Sequence, residues 1–149
     1  MKKLFSTILV ICSLLGGNAY ANEMISIEKY LSDKDPEDHG ATIYSLIRCS
    51  GLELFFATIM QEKAPDVSKL SKEQSNEFAL FASKLDSIIS KRKFEESAKN
   101  MINSSQEIMG YYIKDGIKNW NKTGSYFLES YIDEDRLLCD YIYKTQIKK

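Results

Sequence analysis

Residues 35–61 read DPEDHGATIYSLIRCSGLELFFATIMQ. The stretch opens as a helix start. Asp35 is a good cap, Pro36 suits the first helical position, and Glu37 and Asp38 oppose the positive end of the helix dipole. Beyond it Ile43, Tyr44, Leu46, Ile47, Cys49, Leu52, Leu54, Phe55, Phe56, Ile59 and Met60 cover most of the helix circumference. A helix apolar nearly all round is one that others bury. Ser50, Gly51 and Ala57 are small enough to let a neighbour approach closely. Ala64-Pro65 ends the element.

Outward from this helix, Ser71-x-x-Gln74 has the form of a capping box and predicts a second helix. Phe78, Phe81, Leu85, Ile88 and Ile89 fall at three- and four-residue steps and read as its core stripe. The stripe loses phase near Lys91–Phe94 and resumes through Phe94, Ala98, Met101, Ile102, Ile108, Met109, Tyr112 and Ile113. Basic Lys91-Arg92-Lys93 suits a helix C-terminus and Glu95-Glu96 a following N-terminus, which places a break between them. No glycine or proline enforces it, so one bent helix fits the same residues. Residues 119–125, NWNKTGS, are the clearest turn signal. Ser125 or Thr123 then caps a last helix that carries Phe127, Leu128, Tyr131, Ile132, Leu138, Cys139 and Ile142 inward. Glu129, Asp133, Arg136 and Asp140 form its solvated face. Residues 22–34 read equally as a short helix capped by Ser26 and as a loosely packed arm.

The N-terminus carries a different message. Met1-Lys2-Lys3, an apolar run from Leu4 to Leu15, Gly16-Gly17 and Ala19-Tyr20-Ala21 follow the order of a secretory signal peptide. Residues 1–21 are therefore expected to be removed, leaving one helical domain over 22–149 that does not span a membrane. The apolar run is short of the roughly 20 residues a membrane span needs. Cleavage also removes Cys12, so Cys49 and Cys139 are the remaining thiols of three. In the oxidising compartment that export implies, periplasmic or extracellular, an even pair reads as a disulfide.

Four helices with short connections predict an all-α, up-down-up-down bundle whose first and last helices are antiparallel neighbours. Cys49 sits near the middle of the first and Cys139 a little past the middle of the last, so a bridge between them fits without distortion.

The inventory restricts function more than it defines it. Twenty Lys+Arg stand against 21 Asp+Glu, and the leader holds Lys2 and Lys3, so the mature domain is more acidic still. Nucleic acid is not an expected partner of such a surface. One histidine, His39, excludes a hydrolytic triad apart from it, a His-rich zinc site and a c-type haem motif. A haem held by His39 and Met101 is the one cofactor arrangement the inventory leaves, and a solvated surface histidine is the simpler reading. Asp133, Glu134 and Asp135 are consecutive on a helix, point to different faces and read as solvated. No catalytic, metal or cofactor residue is assigned. Arg48 beside Cys49 and Asp140 beside Cys139 suggest an ion pair alongside the disulfide, while an Arg48 that snorkels to solvent fits equally. Trp120, Asn121 and Tyr126 flank the turn before the last helix, and aromatic side chains of this kind anchor interfaces. The resulting expectation is a non-enzymatic exported domain that binds a protein or an envelope component, as small chaperones, inhibitors and immunity proteins do. The alternative is a carrier holding a small ligand or cofactor in the bundle core.

Overall fold

A computed structural model describes residues 24–148 of the chain; the leader expected at residues 1–21 lies outside them. Five helices follow one another: α1 (Ile27–Ser32), α2 (His39–Met60), α3 (Pro65–Ser90), α4 (Phe94–Thr123) and α5 (Tyr131–Ile142), the last continued by a π turn, Tyr143–Ile147. The expected all-helical bundle forms, and Cys49 is bonded to Cys139 with their Cα atoms 5.4 Å apart. Because α1 precedes the first long helix, the bridge joins the second helix, rather than the first, to the last.

Helix α2 is the core element. By length and composition it could cross a membrane, yet more than half of that stretch is buried inside the bundle. Its cap is Asp38, whose carboxylate accepts the Ala41 N–H at 3.0 Å, not Asp35, which instead holds a turn by accepting the Glu37 N–H at 2.9 Å. The small residues act as expected. Ser50 Oγ donates to the Ser75 carbonyl at 3.0 Å, and Ser68 Oγ donates to the Ala57 carbonyl at 2.7 Å. A Cβ added at Gly51 would stand 2.8 Å from the Ser105 carbonyl oxygen, so α4 approaches α2 there as closely as a glycine permits.

Helix α3 starts at Pro65, one turn and more before Ser71, because the Ala64-Pro65 pair that stops α2 also supplies a first helical proline. Its buried face differs from the expected stripe. Ser68, Ser71, Ser75, Phe78, Ala79, Ala82 and Ser83 are buried, whereas Phe81, Ile88 and Ile89 are exposed. A serine- and alanine-lined face lets α3 lie close against α2, with hydroxyls bonded to carbonyls, and turns Phe81 and Ile88 onto an outer flank. The break before Phe94 is a true turn: Lys91 adopts φ 56°, in the left-handed region, and ends α3.

At the other end α4 runs on to Thr123 and is closed by Gly124 at φ 77°. Residues 125–130 are irregular, and the last helix begins only at Tyr131. Ser125 organises this loop rather than capping a helix, its hydroxyl accepting the Leu128 N–H at 3.1 Å. Helix α5 touches α4 first (Tyr131 and Tyr112 rings 6.0 Å apart), crosses α2 at the disulfide, and ends against α3 (Tyr143 and Phe78 rings 5.8 Å apart). Residues 27–32 are a docked helix, not a loose arm: Ser26 caps it and Ile27 is fully buried.

The bridge closes a loop with a sequence separation of 90 residues. The Cys49→Ala/Cys139→Ala protein should therefore lose about 2–4 kcal/mol of stability. Urea denaturation of both forms measures this, with an unchanged midpoint counting against a structural role.

Candidate functional site

The most unusual group inside the bundle is Arg48, 1 % exposed on α2. Its guanidinium forms an ion pair with Asp135 of α5, which is fully buried. Asp140, the partner expected from the sequence, is instead half-exposed and bonded to Lys144 at 2.7 Å. The reason is helical geometry. Asp140 follows Cys139 in sequence but points to another face, while Asp135 stands one turn before Cys139 and shares its face. The expectation that residues 133–135 are all solvated fails at Asp135 alone.

Each side-chain nitrogen and oxygen of the pair has a hydrogen-bond partner. Arg48 Nη1 donates to the Ile25 carbonyl at 2.6 Å, and Arg48 Nε donates to the Tyr112 hydroxyl at 3.2 Å. Tyr112 in turn donates to Asp135 Oδ2 at 2.5 Å, and the Ile27 N–H donates to Oδ1 at 2.6 Å. The guanidinium carbon lies 5.7 Å from the ring centroids of Tyr112 and Tyr131 and 5.9 Å from Tyr44, so the cation is ringed by aromatic faces. Tyr131 is fixed by donating to Asp115 at 2.7 Å. Four helices meet here, α1, α2, α4 and α5.

The electrostatics follow from burial. Desolvation works against the Arg48 charge, but Tyr112 and Asp135 outweigh it and hold the guanidinium above its ordinary value. Burial raises the Asp135 carboxyl, opposed by Arg48, the Tyr112 hydroxyl and the Ile27 amide. Burial drives the Tyr112 phenol well above the usual tyrosine range, which keeps its proton available to Asp135. These groups are turned toward one another, and the arrangement is a clamp. It fastens α1 and α5 to α2.

The three residues expected at an interface lie at the far end of α4. Trp120 is 43 % exposed and packs on Tyr126 with ring centroids 4.7 Å apart. Tyr126 meets the buried Phe55 edge-on at 6.1 Å. Asn121 is exposed beside them. The residue that shapes this end is Asn119, the first residue of the turn signal. Its side-chain amide donates to the Ser125 carbonyl at 3.0 Å and to the Leu128 carbonyl at 2.9 Å, tying the loop to α4.

Other candidates are placed plainly. His39 is exposed at the first position of α2 and Met101 is buried in α4. Among the described residues no group of three His, Cys, Asp or Glu side chains could hold a metal ion. The core space is filled by Leu52, Phe55, Phe78 and Tyr112. A shallow groove of about 600 Å³ runs between α1 and α5, lined by Leu31, Leu137 and Leu138 with Glu28 and Glu134. Glu53, on α2, is pushed up to about 7 by burial, with a Ser71 hydrogen bond pulling the other way and Asp140 adding to the rise. No family model, curated protein or solved structure matches the chain.

Two outcomes test these assignments. Arg48→Met or Asp135→Asn alone should each cost about 3–5 kcal/mol, because the remaining partner stays buried and uncompensated. The Arg48→Met/Asp135→Asn double variant should cost clearly less than the two single losses together in urea denaturation, whereas strict additivity would mean the residues are not coupled. For Glu53 the folded value lies above the unfolded 4.5, so its contribution is fully present below that value and disappears as pH rises through about 7. Glu53→Gln should flatten the stability decline between about pH 5 and about pH 8 by on the order of 2 kcal/mol after allowance for solvent screening.

Proposed function

We propose that the chain is an exported, non-enzymatic helical domain, periplasmic or secreted, that binds another protein or an envelope component through the Trp120–Tyr126 end of the bundle. Export is supported by the leader pattern over residues 1–21, and the Cys49–Cys139 bond is consistent with an oxidising compartment.

One observation carries the binding assignment: an exposed tryptophan, Trp120, held in place by the half-buried Tyr126 before any partner arrives. Trp120 is half-exposed but already stacked on Tyr126, and Tyr126 rests on Phe55, which is 1 % exposed. A tryptophan ordered in advance loses little rotamer freedom on docking, which is what makes such residues effective anchors. Ile117, one turn before Trp120, is 50 % exposed and widens the apolar centre, with Asn121 and Lys122 as a polar rim. Binding here leaves the Arg48 clamp undisturbed, so the scaffold and the surface are separate parts of the molecule.

Immobilised disulfide-bonded protein should retain a partner from envelope extract, and Trp120→Ala or Tyr126→Ala should reduce capture by roughly tenfold or more, Trp120→Ala with little change in melting temperature and Tyr126→Ala with a lowered one because its ring packs on Phe55. Equal capture by both variants would sink the assignment. A small molecule carried by untreated protein in native mass spectrometry would favour the carrier reading instead.

A further inference from the structure

The Trp120–Tyr126 end carries a second feature beyond the exposed ring. A cavity of about 350 Å³ opens beside Tyr126, against the C-terminal end of α2. Thr58, Ile59, Gln61, Glu62 and Lys63 form its other walls. Tyr126 is shared between cavity and platform, because Trp120 packs on its ring with centroids 4.7 Å apart and planes at 30°. The volume lies at the lower end of the range for small-ligand sites.

The lining is mostly polar, and much of it is uncommitted. Ile59 is the one apolar side chain besides the Tyr126 ring. Thr58 is spent on its own helix, donating to the Leu54 carbonyl at 2.9 Å. Gln61, Glu62 and Lys63 are exposed, and no side-chain hydrogen bond or ion pair engages them among the described residues. The Tyr126 hydroxyl is free in the same sense, its ring being held by Phe55 and Trp120. Glu62 and Lys63 cancel in formal charge. Lys122 and Glu129, on the two sides of the turn that carries Tyr126, cancel likewise.

We propose that this cavity and the Trp120 ring together bind a neutral oligosaccharide. A sugar ring presents an apolar C–H face and an edge of hydroxyls. The face packs on an exposed aromatic ring, and the edge needs donors and acceptors not already in use. Trp120 supplies the ring, 43 % exposed while held by Tyr126. Gln61 offers a donor and an acceptor, Glu62 an acceptor, Lys63 a donor, and the Tyr126 hydroxyl serves as either. A protein hot spot is sealed from water by the contacts around it, whereas this ring adjoins an open cavity of polar side chains. This rests on that end being the binding surface proposed above, and it makes the envelope component a glycan.

Trp120 is the single tryptophan of the chain, so its emission reports the site directly. Disulfide-bonded protein spanning residues 22–149 is titrated with four soluble probes, the β-linked trimers of N-acetylglucosamine and glucose and the α-linked trimers of glucose and mannose. At least one should change the emission saturably, with a Kd of about 1 mM or tighter that salt does not weaken. Gln61→Ala and Glu62→Ala, both at exposed positions, should each weaken that binding roughly fivefold, as should Tyr126→Phe, which keeps the ring. Ile88→Ser, at an exposed site near the far end of α3, should leave it unchanged. No saturable response to any of the four probes overturns the proposal, as does equal binding by Gln61→Ala and Glu62→Ala or loss of binding in salt. Trp120-dependent capture of an envelope protein without any sugar response would keep the binding surface and overturn its assignment to a glycan. Absence of both would remove the surface as well.

Discussion

The structure depends on a charge that has no access to water. Taking a guanidinium and a carboxylate out of solvent costs several kcal/mol each, and their attraction offsets this only when every remaining donor and acceptor is also engaged. Arg48 and Asp135 approach that condition, each side-chain nitrogen and oxygen having a partner, by recruiting backbone from the N-terminal segment, at Ile25 and Ile27, and the Tyr112 hydroxyl from α4. The same requirement explains why so short a helix as α1 is docked. Six residues cannot bury enough apolar surface to stay in place alone, but Ile27 brings a backbone donor that Asp135 needs. The disulfide stands beside this cluster and acts in a different way. It limits the unfolded chain and fixes one point of α5 on α2, whereas the ion pair, one helical turn away, sets how α5 is rotated about that point.

Much of this could be read in the residues. The continuous apolar surface of α2, the break at Lys91–Lys93 and the cysteine pair are written in local patterns that tertiary structure had no reason to override. The partner of Arg48 is not, because Asp140 is adjacent to Cys139 in sequence while Asp135 is adjacent to it in space. A step of four back from Cys139 leads to Asp135, and the face-sharing of i and i+4 positions is a rule the sequence already contains. What it does not contain is the burial of Asp135, which requires Tyr112, Ile25 and Ile27 to converge from elsewhere in the chain.

The buried face of α3 departs from the periodicity for a more general reason. Hydrophobic periodicity assumes that the largest apolar residues face the core, and here the core face is built from Ser68, Ser71, Ser75, Ala79, Ala82 and Ser83 around a single Phe78. Small side chains permit short helix–helix distances, and their hydroxyls are satisfied locally, as Ser83 is by the Ala79 carbonyl at 2.6 Å. Where close approach replaces bulk as the packing solution, the bulky residues are released to the outside. The same preference explains Gly51 against Ser105 on the other side of α2.

That release gives the molecule two apolar ends rather than one. Phe94 opens α4 and Trp120 lies near its close, and at about 1.5 Å per residue the helix separates them by roughly 39 Å. Between those ends α4 is a strut: both belong to one helix, and that helix is locked to α2 and α5 through Tyr112. A clamped helix also fixes which way the binding face points, and the buried Arg48 network is what makes the clamp rigid.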